Sequence, residues 1–201
     1  MAAGPMAREA IVPALLHELD ERFPSLLVEV AEEDSNAIVE GVLHGRSDIG
    51  LLVSPPAHED MDSKLLRRDR PIAVVHPTHP LATSASVTVS RLAKHILILW
   101  PRKSDKGSHD LVLGMFHDHR PASTRIAPLS SGAFWDALLA GGFAIVAASA
   151  PVSGDLVGLP IDDAKPEFSM SMIWSRQTPP ALLAGLIDAA DSAIAANKWL
   201  P

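Results

Sequence analysis

The sequence contains no cysteine. That absence removes disulfides, thiol nucleophiles, thiolate zinc and iron–sulfur ligation together, and it suits a reducing compartment. No apolar run approaches the roughly 20 residues that span a bilayer, so no membrane partner is expected. The first residues, MAAGPMAREA, lack a basic stretch followed by an apolar core, so no secretory signal is read there and a cytoplasmic location is expected. Positive charge is in short supply: 17 Lys and Arg against 24 Asp and Glu leave a formal net charge of −7. A general nucleic-acid footprint is therefore not expected of this chain by itself. Catalytic signatures are missing too. There is no Gly-x-Ser-x-Gly elbow, and Gly107–Ser108 is not followed by the Gly-Lys-Ser/Thr that a phosphate loop needs. Ala3–Arg8 resembles half of a dinucleotide turn without its second and third glycines. Carboxylate pairs such as Glu32–Glu33 and Asp162–Asp163 fall in loop-like stretches. No catalytic residue, no cofactor and no enzyme activity are expected.

What is present is an ordinary globular balance, 47% hydrophobic and 20% charged over 201 residues, enough for one large domain or two small lobes. The stretch LHGRSDIGLLVSPP, residues 43–56, is the most informative. Ile49–Val53 is short, apolar and bounded by breakers, so it reads as a strand buried on both faces. Gly45 ends the helix before it, Asp48 forms the turn into it, and Pro55–Pro56 turns the chain away. A parallel sheet follows from this grammar, and its ligands lie beyond the carboxyl ends of the strands.

The rest of the chain reads in the same style. Val12, Leu15, Leu16, Leu19 and Phe23 form one stripe of a helix over 7–23, with Pro13 near its first turns and Pro24 ending it. Residues 26–30 alternate as a strand, and 34–45 form a second capped helix. Further strands are expected at 71–75, 96–99, near 124–126, after the Gly141–Gly142 turn, and in EFSMSMIWS. Helices are expected at 90–93, 108–119 and 133–141, with a closing helix after Pro180; 152–166 reads as loop. Two α/β lobes result, with the chain crossing between them near Pro77–Pro80 and again near 164–170.

Nine histidines invite a metal reading. His117 and His119, two apart on a helix, would point to different faces, and His76 and His79 flank prolines, so no metal site is expected. Two segments look like binding elements. Gly4-Pro5-Met6-Ala7 precedes one helix and Arg102–Ser108 precedes another; helix N-termini offer unpaired amides and a partial positive field. A small organic anion is expected to contact Gly4, Pro5, Met6, Ala7, Ser54, Ser104, Lys106, Gly107, Ser108, Ser130 and Ser131. Arg102, Lys103 or Lys106 would add charge, and Met6 with Pro55 an apolar wall. The competing reading is that the basic loop only balances Asp105 and Asp110.

The ordered set of VPALLHELDERFP, IVEGVLHGRSDIGLLVSPP, HPTHPLA, SVTVSRLA and ALLAGGFAIVAAS resembles the effector-binding domain of LysR-type transcriptional regulators across nearly the whole chain. Pro13, Phe23–Pro24, Gly45-Arg46-Ser47-Asp48 and His79–Ala82 match family features; of the late Gly-x-Gly-Ile turn, Gly142-Phe143-Ala144-Ile145 keeps only the first glycine. Met6 stands where many members have a hydroxyl and cannot donate a hydrogen bond. The resemblance implies a fold like the type 2 periplasmic binding proteins. Two Rossmann-like subdomains, 1–77 plus 168–201 and 78–167, would be joined by a two-strand hinge, with an effector in the cleft. It implies a head-to-tail homodimer, and possible higher oligomers of a longer protein. Helix 7–23 and strand 26–30 would face helix 133–141 and its neighbouring strand in the partner; the apolar excess around Leu26, Leu27, Phe134 and Leu138 fits this, and ordinary core packing explains it equally well. DNA contact would come only from the family's helix-turn-helix, which this sequence does not contain. A solute-capture protein of a transporter is the alternative for the same fold.

Overall fold

The computed structural model describes residues 1–196 apart from 129–131, 151, 153–154 and 166. In chain order the elements are β1 (Ala2–Ala3), α1 (Pro5–Arg22), β2 (Ala31–Glu32), α2 (Ser35–Leu43), β3 (Gly50–Val53), β4 (Met61–Asp69), β5 (Pro71–Val75), α3 (Val89–Leu92), β6 (Ile96–Leu99), α4 (Lys106–Met115), β7 (Ser123–Ile126), α5 (Gly132–Leu139), β8 (Gly142–Ala147), β9 (Val157–Pro160), β10 (Phe168–Ser175) and α6 (Pro180–Ala195). The fold class is mixed α/β, as expected. The chain divides into two compact units, Met1–Arg68 with Lys103–Gly107 and Ser169–Pro201, and Asp69–Arg102 with Ser108–Phe168. The sequence-based boundaries stand at 77/78 and 167/168; the chain changes unit at 68/69 and 168/169, and the short segment 103–107 belongs to unit 1.

Unit 1 carries the sheet β2-β1-β3-β10-β4. β1 runs parallel to both β2 and β3, and β10 lies antiparallel to β3, with Met170 opposite Val53. β3 is buried along its whole length, the environment its short apolar run anticipates. Ile38 and Val42 of α2 pack with Ala2, Leu52, Met61 and Ile173. Ile11, Val12, Leu15 and Leu19 of α1 are buried as well. Each such side chain contributes about 1.5–3 kcal/mol by leaving water. Phe23, expected to extend that stripe, is exposed. α1 starts two residues earlier than the periodicity suggests, because Pro5 suits the first helical position. Pro13 consequently lies deeper in the helix than expected, on its exposed side, where the ring meets solvent.

Three sequence expectations are corrected in this unit. Residues 26–30 form no strand. Pairing begins only at Ala31–Glu32, because β1 is two residues long and stands opposite those two. β4, not anticipated at all, is a nine-residue strand, two of whose charges are paired: Lys64 with Asp191 of α6 at 2.8 Å and Asp62 with Arg176, just past β10, at 3.0 Å. The turn after α2 does rest on Gly45, at φ +69°, a left-handed value that favours glycine. Asp48, however, is exposed and does not hold that turn. The Gly41 carbonyl does, accepting from the amides of Arg46 at 2.8 Å and Ser47 at 3.2 Å.

Unit 2 carries the sheet β7-β6-β8-β5-β9. β6 is parallel to β7 and β8, while β5 is antiparallel to β8 and β9. β9 occupies part of the stretch expected to be loop. Ile98, Ala127, Phe134, Ala137, Leu138 and Ala144 form a core cluster between α5 and the sheet. Phe134 and Leu138 are therefore core residues, so core packing, and not a surface apolar excess, accounts for these two.

Candidate functional site

β1 and β3 are parallel, so both end on the same edge of the unit 1 sheet. Gly4 follows β1; its amide donates to the Leu51 carbonyl at 2.9 Å, and Pro5 then opens α1. This helix start has no side-chain cap and no acid in its first turn. Pro5 has no N–H and the Gly4 amide is spent. The Ala7 amide, in the first turn of α1, makes no hydrogen bond to a described residue and sits in a buried residue. Met6 is buried beside it.

Ser54 follows β3. Its amide donates to the Ser169 carbonyl at 2.8 Å, and its φ of +46° is left-handed, an uncommon value for a residue with a side chain. Ser54 is exposed, so this backbone turns its side chain to solvent at the end of the strand.

The segment 103–107 reaches the same edge. Ser35, the first residue of α2, is buried, and its amide donates to the Ser104 carbonyl at 3.2 Å. The Ser35 hydroxyl donates to that carbonyl at 3.4 Å and accepts from the Lys106 amide at 3.2 Å. Gly107 then packs on the Val53 carbonyl, with Ser54 Cβ next to it. The structure thus gathers Gly4, Ser54, Ser104, Lys106 and Gly107 around the ends of β1 and β3. Ser108 is fully buried and belongs by its contacts to unit 2. Ser130 and Ser131 lie outside the described residues. Ser35 is absent from the sequence-based set, although its place at a predicted helix start, behind Asp34, was a visible signal.

The charge at this edge is uneven. Arg102 is committed to Asp110 through two hydrogen bonds of 2.6 Å each, which hold its guanidinium pKa above the usual value. The balancing role expected as the competing reading applies to this arginine. Lys106 is exposed and forms no ion pair with a described residue. Asp34 occupies the cap position of α2 and the buried Asp105 directly precedes α4, so acids already stand at both of those helix starts. α1, led by Gly4 and Pro5, has no acid in its first turn to compete with a bound anion.

The histidines take local roles. His117 Nδ1 pairs with Asp118 at 2.8 Å and His76 Nδ1 with Thr78 Oγ1 at 2.7 Å. His79 is buried, its Nδ1 accepts from the Leu81 amide at 3.1 Å, and its ring lies 4.5 Å from that of His95. Both imidazoles have pKa values below the usual one, chiefly because burial disfavours the cation; His95 also lowers His79, and Arg91 and Lys94 lower His95.

Comparison with known proteins agrees with this architecture. The family model described as LysR substrate binding domain matches residues 1–195. The chain is 30% identical over 114 residues to the HTH-type transcriptional regulator TtuA of Agrobacterium vitis, covering 56% of this chain and 37% of that protein. It is 37% identical over 93 residues to the HTH-type transcriptional regulator BbuR of Bordetella bronchiseptica, covering 46% and 29%. The matched stretches thus span about a third of those regulators' own length. Among solved structures, the BenM effector binding domain with its effector benzoate superposes with a TM-score of 0.85 at 19% identity, covering 100% of this chain and 93% of that one. Full-length CbnR complexed with its target DNA gives 0.83 at 20% identity, covering 96% and 69%. The chain belongs to the LysR substrate binding domain family and has the fold of the effector-binding domains of LysR-type regulators.

Proposed function

We propose that the chain is the sensing part of a LysR-type transcription regulator, and that its unit 1 takes a small organic anion with an apolar body at the N-terminus of α1. The observation that carries this reading is the start of α1 at Gly4–Pro5, just past the carboxyl end of β1, with no side-chain cap and no acid in its first turn. The Ala7 amide and the helix field would meet a carboxylate, the hydroxyls of Ser54 and Ser104 would accept or donate beside it, and Lys106 would supply charge. Met6 and Pro55 would line the apolar side. Benzoate, the effector of the BenM neighbour, has this chemistry, which supports the class and not the compound. A bound effector would shift the balance between states of a longer protein whose DNA-binding part reads the change. This reading carries with it a cytoplasmic location and no catalytic role.

The test is a thermal-shift screen of small carboxylates, amines and neutral solutes against the purified chain. The reading expects stabilisation by at least one carboxylate at fixed ionic strength. Stabilisation by amines or sugars alone contradicts it.

Assembly belongs to the same proposal. In unit 1, Phe23, Leu26 and Leu27 are exposed past the end of α1, with Leu27 at 85%. In unit 2, the edge strand β7 is exposed throughout, and Ile126, Trp135 and Leu139 stand out from β7 and α5. A head-to-tail homodimer would cover both sets at two equivalent contacts between copies.

A further inference from the structure

The segment 103–107 belongs to unit 1, although the chain on either side of it belongs to unit 2. Arg102 before it is tied to Asp110, and the Lys103 and Lys106 side chains are exposed. Among its ties to unit 1 are Ser35 on one side and the Gly107–Val53 contact on the other. Ser35 is buried, and both roles of its hydroxyl are used: it donates to the Ser104 carbonyl and accepts from the Lys106 amide. Its own amide bonds the same carbonyl, so one residue fixes both ends of the Ser104–Lys106 turn. An alanine there would keep the amide bond but leave the Lys106 amide, at the start of α4, without its acceptor.

We propose that Ser35 is a positioning residue: its buried hydroxyl clamps the Ser104–Lys106 turn onto the start of α2 and thereby sets where Ser104, Lys106 and Gly107 stand at the ligand edge. This deepens the functional reading above and rests on it for the word ligand, while the clamp itself is a property of the free chain. Ser35 does not touch the anion. It fixes the groups that do.

Limited trypsin digestion of the whole chain, read by mass spectrometry, tests the clamp without any ligand. The Lys103–Ser104 and Lys106–Gly107 bonds report on the segment. Arg46–Ser47 in unit 1 and Lys94–His95 in unit 2 serve as internal references. Ser35→Ala should speed cleavage at the two reporter bonds by about tenfold, the change in open population that follows loss of roughly one hydrogen bond. The reference bonds should keep their rates, and Ser35→Thr, which retains the hydroxyl, should stay near the parent. Unchanged reporter bonds, equal acceleration at all four bonds, or threonine behaving as alanine would each overturn the proposal. In parallel, benzoate affinity of the parent, Ser35→Ala and Ser35→Thr is compared by calorimetry. A fall of about tenfold restored by threonine links the clamp to the anion edge, by the same energetics. If instead no carboxylate binds the parent, the functional reading fails while the digestion still decides on Ser35.

Discussion

Gly107 lies so close to the carbonyl of Val53 that a Cβ in place of its hydrogen would stand 2.0 Å from the oxygen and 2.8 Å from the carbon. The obstacle is backbone on a fully buried strand, not the end of a flexible side chain, so it cannot swing aside. Gly107→Ala must therefore displace the start of α4. Thermal or urea unfolding should show a loss of about 1–3 kcal/mol, the usual range for forced overpacking. Gly4→Ala is the control: its Cβ would meet Leu51 and Ile38 at 3.8–3.9 Å, ordinary contact distances, and its stability should stay within about 0.5 kcal/mol of the parent.

Ser54 offers the opposite case, a side chain where glycine would be more comfortable. At φ +46° the residue carries a left-handed cost of about 1–2 kcal/mol that glycine does not. Ser54→Gly should leave the urea midpoint equal or raised. If the hydroxyl touches the anion, the same variant should bind a stabilising carboxylate several-fold more weakly, since a hydrogen bond to a charged group contributes about 1.5–3 kcal/mol. A lowered midpoint would show that the left-handed turn depends on the serine side chain.

Acid should weaken unit 2. The ordinary imidazole value is 6.5, and both His79 and His95 are held below it in the folded chain. Well above 6.5 both states are neutral and pH has little effect through this pair. As pH falls below 6.5 the unfolded chain takes up protons that the folded chain refuses, so stability drops until the folded values are passed. The geometry agrees: His79 Nδ1 accepts from the Leu81 amide and cannot do so once protonated. Urea midpoints measured from pH 7.5 to 5 should decline, and His79→Gln with His95→Gln should flatten that decline. An unaltered slope in the double variant would assign the acid sensitivity to other groups.

For assembly, Leu27→Glu and Ile126→Arg each place a charge on an exposed apolar surface proposed to meet its counterpart in a second copy. Light scattering at tens of micromolar should report a dimer for the parent and a monomer for either variant. A monomeric parent contradicts the head-to-tail arrangement.

Much of this molecule could be read from local pattern. Ile49–Val53 is legible because a fully buried strand is apolar at every position, and α1 because of its helical stripe, although its start at Pro5 is two residues earlier than that stripe suggests. β4 was hidden because Asp62 and Lys64 look like loop residues until Arg176 and Asp191 are known to face them. Residues 26–30 misled in the other direction: alternation signals a strand, but pairing needs a partner, and β1 lies opposite 31 and 32 alone. Phe134 and Leu138 were apolar in the sequence whichever way they faced; only the packing of α5 on its sheet puts them inside and leaves Trp135 and Leu139 outside. At the candidate site, Ser104 and Gly107 are legible as a segment leading into a helix, although α4 starts at Lys106, two residues before the expected 108. Ser35 is legible locally only as a residue at a helix start; its contact with Ser104, 69 residues away, is not.

The central claim is that an organic anion binds unit 1 at the start of α1. Amide hydrogen exchange, compared with and without a carboxylate that raises the thermal midpoint, tests it most directly. The account predicts slowed exchange at Met6–Arg8 and Ser104–Gly107, with smaller changes elsewhere. Protection confined to other segments, with those two stretches unchanged, would contradict it.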